Sequence, residues 1–92
     1  MENKPNPEIQ RLAREKIGQA LKMVAKKRGL SQRDIAEQTE LPLQTVSNIL
    51  NGNANYTFDS FVAVCQVLKV HFELHELDTD HTVWNEPPIS KN

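Results

Sequence analysis

Between Ile9 and Val24 the apolar residues Ile9, Leu12, Ala13, Ile17, Ala20, Leu21 and Val24 recur at spacings of three and four, which sets them on one helical face. The spacing predicts a long first helix with Pro7 in its first turn and Gly29 as its stop, the cations of "KKR" lying near the negative end of the helix dipole. Ser31 is placed to cap a short second helix, "QRDIAEQT", with Ile35 and Ala36 inward. A turn through Glu40 and Leu41 leads to a third helix from about Leu43 to Asn51, which buries Val46, Ile49 and Leu50 and ends at Gly52. After the loop "NANY", Thr57 caps a fourth helix whose core stripe is Phe58, Phe61, Val62, Cys65 and Leu68.

At Val70 the period changes. Phe72 and Leu74 alternate with His71, Glu73 and His75, the pattern of a half-buried strand over residues 70–77. A lone strand leaves backbone groups unpaired, so the pattern implies a partner strand, and the same strand of a second copy supplies it across a two-fold axis. A homodimer joined through Phe72 and Leu74 is therefore expected, in keeping with the modest core that 92 residues allow. Residues 1–7 read as a flexible N-terminus, 8–77 as the folded domain, and 78–92 as a flexible tail, because "DTDHTVWNEPPISKN" is polar, proline-interrupted and aperiodic.

Charge refines the picture. The net charge of -1 conceals an uneven distribution. From Arg11 to Arg33 the chain carries Arg11, Arg14, Lys16, Lys22, Lys26, Lys27, Arg28 and Arg33 against Glu15 alone, whereas beyond Arg33 only Lys69 and Lys91 are basic. The asymmetry suits a molecule with one anion-binding face; it also suits a long solvated helix.

Other chemistry is sparse. Cys65, the only cysteine, rules out a disulfide or a thiolate zinc cluster within one chain and fits a reducing cytoplasm. No apolar run approaches the roughly 18 residues of a membrane span, and the polar start lacks a signal peptide's apolar region. A soluble, cytoplasmic protein is expected. His71 and His75 sit about 13 Å apart along a strand and do not share an ion within one chain. With no glycine-rich phosphate loop, nucleophile elbow or HExxH, the residues point to no enzyme, no cofactor and no metal.

Two short helices joined by a tight turn, with small Ala36 at the crossing and Val46 and Ile49 anchoring the second, have the build of a helix-turn-helix. "LSQRDIAEQTELPLQTVSNILNG" followed by "FDSFVAVCQVLKV" resembles the Xre/Cro class of phage repressors and bacterial regulators, ungapped from Leu30 to Val70. The resemblance implies an all-α, lambda-repressor-like bundle of four to five helices that binds double-stranded DNA. It also implies roles: Gln32 on a phosphate, Leu43, Gln44, Thr45, Ser47 and Asn48 toward the major groove, and Asn51 on the backbone. Helical geometry agrees independently, since positions 44, 47, 48 and 51 share one face and 46, 49 and 50 the other. An amide such as Gln44 matches adenine, and Ser47 and Asn48 match several base edges. Lys27, Arg28 and Arg33 complete the expected backbone contacts. The same small polar residues also suit an ordinary solvated surface. Two positions depart from the class: Glu40 stands where the turn usually has glycine, so either a left-handed residue or a different turn is expected, and Pro42 replaces a serine or threonine cap.

The helix running directly into a strand in "YTFDSFVAVCQVLKVHFELHEL" is similar to HipB-type antitoxins, whose paired strands fix a dimer. That similarity implies a toxin–antitoxin operon, repression of its own promoter and a kinase-like toxin as partner; the alternative is a stand-alone phage-type or bacterial Xre-family regulator. Trp84 in the polar tail belongs to the same question, as an anchor for a partner or as a residue folded back on its own dimer.

Overall fold

A computed structural model describes residues 4–76 of the protein. Over this range the chain forms four helices, α1 (Pro7–Arg28), α2 (Gln32–Thr39), α3 (Leu43–Leu50) and α4 (Phe58–Leu68), and the fold is all-α. Local chemistry sets most of the boundaries. Asn6 accepts hydrogen bonds from the backbone N–H groups of Glu8 at 2.9 Å and Ile9 at 3.4 Å and so starts α1, while Gly29, left-handed at φ 72°, ends it. Ser31 and Asp34 close a reciprocal capping box on α2, and Thr57 Oγ1 accepts from Ser60 N–H at 3.1 Å to cap α4.

Of the two courses open to the turn between α2 and α3, the chain takes the left-handed one. Glu40 adopts φ 61°, the left-handed conformation for which glycine is the ordinary choice. Pro42 starts α3 without any side-chain cap, its fixed φ of -58° preparing the helix in place of a hydrogen bond. A second left-handed non-glycine, Lys69 at φ 59°, ends α4.

Leu21 and Ala25 of α1, Ile35 of α2, Val46, Ile49 and Leu50 of α3, and Val64, Cys65 and Leu68 of α4 make the core. Of the expected apolar face of α1 only Leu21 lies in it; Ile9, Leu12, Ala13 and Val24 are half-buried, Ile17 is 38% exposed and Ala20 is exposed. Phe58, placed by its spacing on the α4 stripe, is 65% exposed. The periodicity identified the apolar face correctly, but the four-helix core is narrower than that face. The uncovered part is continuous with residues 70–76. These have no regular secondary structure, and among the described residues no second strand pairs with them. Phe72 instead turns back onto α4, its ring 6.1 Å from that of Phe58 and 5.4 Å from that of Phe61. Residue 77, Trp84 and the 78–92 tail lie outside the described residues.

Candidate nucleic-acid interface

The helix-turn-helix presents one face of α3 to solvent. Val46, Ile49 and Leu50 are buried against the other helices, Leu43 is 41% exposed, Gln44 and Asn51 are exposed, and Thr45, Ser47 and Asn48 are partly exposed. The five expected base-reading residues therefore lie together on one short helix, with Asn51 at its end.

Two side-chain pairs brace this face. Gln44 Nε2 donates to Asn48 Oδ1 at 3.0 Å, and Asn51 Nδ2 donates to Ser47 Oγ at 3.0 Å. Each pair spans one helical turn, the separation at which side chains meet. The braces leave capacity over: an amide has two N–H donors and a carbonyl with two lone pairs, so after their mutual bond Gln44 and Asn48 retain further donors and acceptors. An uncharged face with positioned donors and acceptors suits base edges, which are themselves neutral donors and acceptors.

The expected cations lie on α1 and α2, outside α3. Lys26, Lys27 and Arg28 occupy the exposed last turn of α1, followed by half-buried Gln32 and exposed Arg33 in the first turn of α2. The expected backbone-binding residues other than Asn51 thus fall in two pairs, Lys27 with Arg28 before Gly29 and Gln32 with Arg33 after it. Arg11 is differently placed: its guanidinium pairs with Glu8 and, at 2.8 Å, with Glu15, and these carboxylates hold it charged above the usual arginine range.

A third arrangement was not legible in the sequence. Gly18 lets α1 cross the end of α3 at closest approach: a Cβ there would stand 2.7 Å from the Leu50 carbonyl oxygen and 3.0 Å from Gly52 N. Gly52, at φ 75°, packs against the backbone of α1 so tightly that its own Cβ would meet Glu15 Cα at 2.8 Å. One turn before Gly18, Arg14 Nε donates to the Gly52 carbonyl oxygen at 3.2 Å. Arg14 also faces Tyr56, whose hydroxyl burial pushes above the usual phenol range against the opposing field of that arginine. Only the conjunction of a glycine in mid-helix with a glycine after α3 hinted at such a junction.

Elsewhere, His71 and His75 lean on the two oxygens of Glu73, at 3.6 and 3.3 Å. Cys65 is buried in the core, and burial pushes its thiol up, away from reactivity. Among the described residues, no helix is long and apolar enough to cross a membrane.

Comparison with known proteins places this geometry. A family model described as Helix-turn-helix matches residues 21–74. No curated protein matches the chain. Among solved structures, the chain is similar to HipB in the HipA-HipB-O2-O3 complex, at 22% identity and TM-score 0.61, covering 83% of this chain and 97% of that one. It is also similar to a point mutant of the restriction-modification controller protein C.Esp1396I, at 24% identity and TM-score 0.55 over 62% of this chain and 72% of that one. The clp gene regulator ClgR from C. glutamicum aligns at 21% identity and TM-score 0.55, over 72% of this chain and 80% of that one.

Proposed function

The chain belongs to the helix-turn-helix family of DNA-binding transcriptional regulators, and from that premise we propose that it is a sequence-specific repressor acting as a homodimer on a palindromic operator. The observation that carries the reading is the braced polar face of α3: Gln44, Ser47 and Asn48 project from a helix whose opposite side is locked into the core. In the proposed complex Leu43, Gln44, Thr45, Ser47 and Asn48 read base edges, while Gln32, Arg33, Asn51, Lys27 and Arg28 hold the backbone.

The dimer draws support from the apolar surface left open by the single chain. Leu74 is 92% exposed and Phe72 48%, and with Ile17, Ala20, Leu21, Phe61, Cys65 and Val70 they line a groove of about 480 Å³. A second copy covering that surface removes Phe72, Leu74 and Ile17 from water together. Two α3 helices about 34 Å apart then enter successive major grooves, the separation required of a two-fold helix-turn-helix dimer.

We further read the protein as the antitoxin of a HipB-like operon, repressing its own promoter and binding a kinase-like toxin, with Trp84 as an anchor. The likeness to HipB, which spans nearly all of that chain, supports this reading. The likenesses to a controller protein and to ClgR support the second one, a stand-alone regulator. Selection of a duplex from a random-sequence pool tests the DNA-binding function; no enrichment overturns it. Purification from the native host separates the two readings: a kinase-like protein that co-purifies and is lost on deleting residues 79–92 supports the antitoxin, and its absence supports the free regulator.

A further inference from the structure

The geometry points to Arg14 as a DNA-phosphate contact, held beside the C-terminal end of α3 by the Gly52 carbonyl. This assignment rests on the DNA-binding reading above and extends it to a residue outside the helix-turn-helix.

The need for such a contact comes from α3 itself, which has no charged side chain. Affinity for a duplex comes chiefly from cations on phosphates, so an uncharged reading helix depends on cations supplied by its neighbours. Lys27, Arg28 and Arg33 cluster where α1 gives way to α2. Thirteen residues of helix separate Arg14 from Lys27, about 20 Å at 1.5 Å per residue, so the far part of α1 needs a cation of its own.

Arg14 fills that position with little freedom. The Gly18 and Gly52 contacts fix α1 against the end of α3 backbone to backbone, and the 3.2 Å hydrogen bond from Nε to the Gly52 oxygen orients the guanidinium. Among the described residues no carboxylate pairs with Arg14 and its Nη groups have no hydrogen-bond partner, whereas Arg11, one turn earlier, is occupied by Glu8 and Glu15. Gly52 adjoins Asn51, the last residue of the polar face. An eight-residue helix is about 12 Å long, close to the width of the major groove, so its end comes to a groove rim where phosphates lie. A guanidinium with one edge spent on Gly52 and the other free suits a phosphate oxygen pair.

The test uses the full chain and a duplex it selects from a random pool. Affinity is measured against salt for the wild type, Arg14→Gln and Arg14→Lys, on that duplex and on a scrambled one. Arg14→Gln is expected to lower the slope of log K against log salt by about 0.9 per subunit and to weaken both duplexes by the same factor. Arg14→Lys is expected to keep the slope. An unchanged slope in Arg14→Gln, or a loss confined to the selected duplex, overturns the assignment and leaves the DNA-binding reading standing. Failure of the wild type to select any duplex overturns both. Should Arg14→Gln fail to melt cooperatively, arginine-selective dicarbonyl labelling of the wild type decides: protection of Arg14 by the duplex supports the contact, and equal labelling with and without DNA overturns it.

Discussion

Gln44 donates its side-chain amide to Asn48 Oδ1 at 3.0 Å, one turn further along the exposed face of α3. The bond joins the two amides into one unit, so that neither samples its rotamers freely before a partner arrives. Replacing Gln44 by alanine is expected to relax base preference at one position of the operator and to cost about 1–3 kcal/mol. Because Asn48 loses its brace in that variant, the double replacement with Asn48→Ala is expected to cost less than the sum of the two. Binding to duplexes varied one base pair at a time measures both effects; equal weakening on every sequence would make Gln44 a backbone contact instead.

Leu74 separates dimerisation from folding more cleanly than Phe72 does. Phe72 packs on Phe58 and Phe61 within its own chain, whereas Leu74 is 92% exposed. Leu74→Glu is expected to yield helical monomers whose melting midpoint no longer depends on protein concentration and which bind the operator weakly, while Phe72→Glu also loses packing within its own chain. Sedimentation equilibrium reads the result, and an intact Leu74→Glu dimer would remove that residue from the interface.

Gly18 is the tightest packing position. A methyl there meets the Leu50 carbonyl at 2.7 Å, and a backbone oxygen at the end of α3 yields only if α1 and α3 shift apart. Gly18→Ala is expected to destabilise the fold by about 1–3 kcal/mol despite alanine's better helix propensity. For a domain of this size each kcal/mol corresponds to roughly 4–8 °C in melting midpoint, so calorimetry resolves the change. A rise in the midpoint would show that the crossing accommodates a methyl group.

These positions also mark how far the sequence is legible. Caps and turns are local: Ser31 and Thr57 announce theirs through side-chain acceptors and Gly29 and Pro42 through backbone preference, whereas Glu40 is legible only against a family that usually has glycine there. Helical faces are periodic, so Val46, Ile49 and Leu50 are readable as inward and Gln44, Ser47 and Asn48 as their opposite. The junction of Gly18, Gly52 and Arg14 joins residues more than thirty positions apart, and no local rule couples them. Phe58 belongs to the expected core stripe of α4 and is exposed, because periodicity gives the apolar side of a helix without the area its neighbours cover; Ile17, on the apolar face of α1, is exposed for the same reason.

Acid should weaken the start of α2. The backbone N–H of Ser31 and then its hydroxyl hold the Asp34 carboxyl below the usual aspartate range. With the folded value depressed, the contribution is complete above the ordinary value near 3.8 and disappears as pH falls through the folded one. Melting midpoints from pH 7 to pH 2 should therefore fall further for the wild type than for Asp34→Asn below about pH 4. Parallel curves would mean that the carboxylate adds nothing to the cap.

The most direct measurement of the reading role of α3 is a footprint of the protein on the duplex it selects. The expected result is two protected half-sites related by two-fold symmetry, with centres about one helical turn or 34 Å apart, and loss of base preference inside each half-site in Gln44→Ala. A footprint without two-fold symmetry, or one whose base preferences survive Gln44→Ala, Ser47→Ala and Asn48→Ala alike, would contradict it.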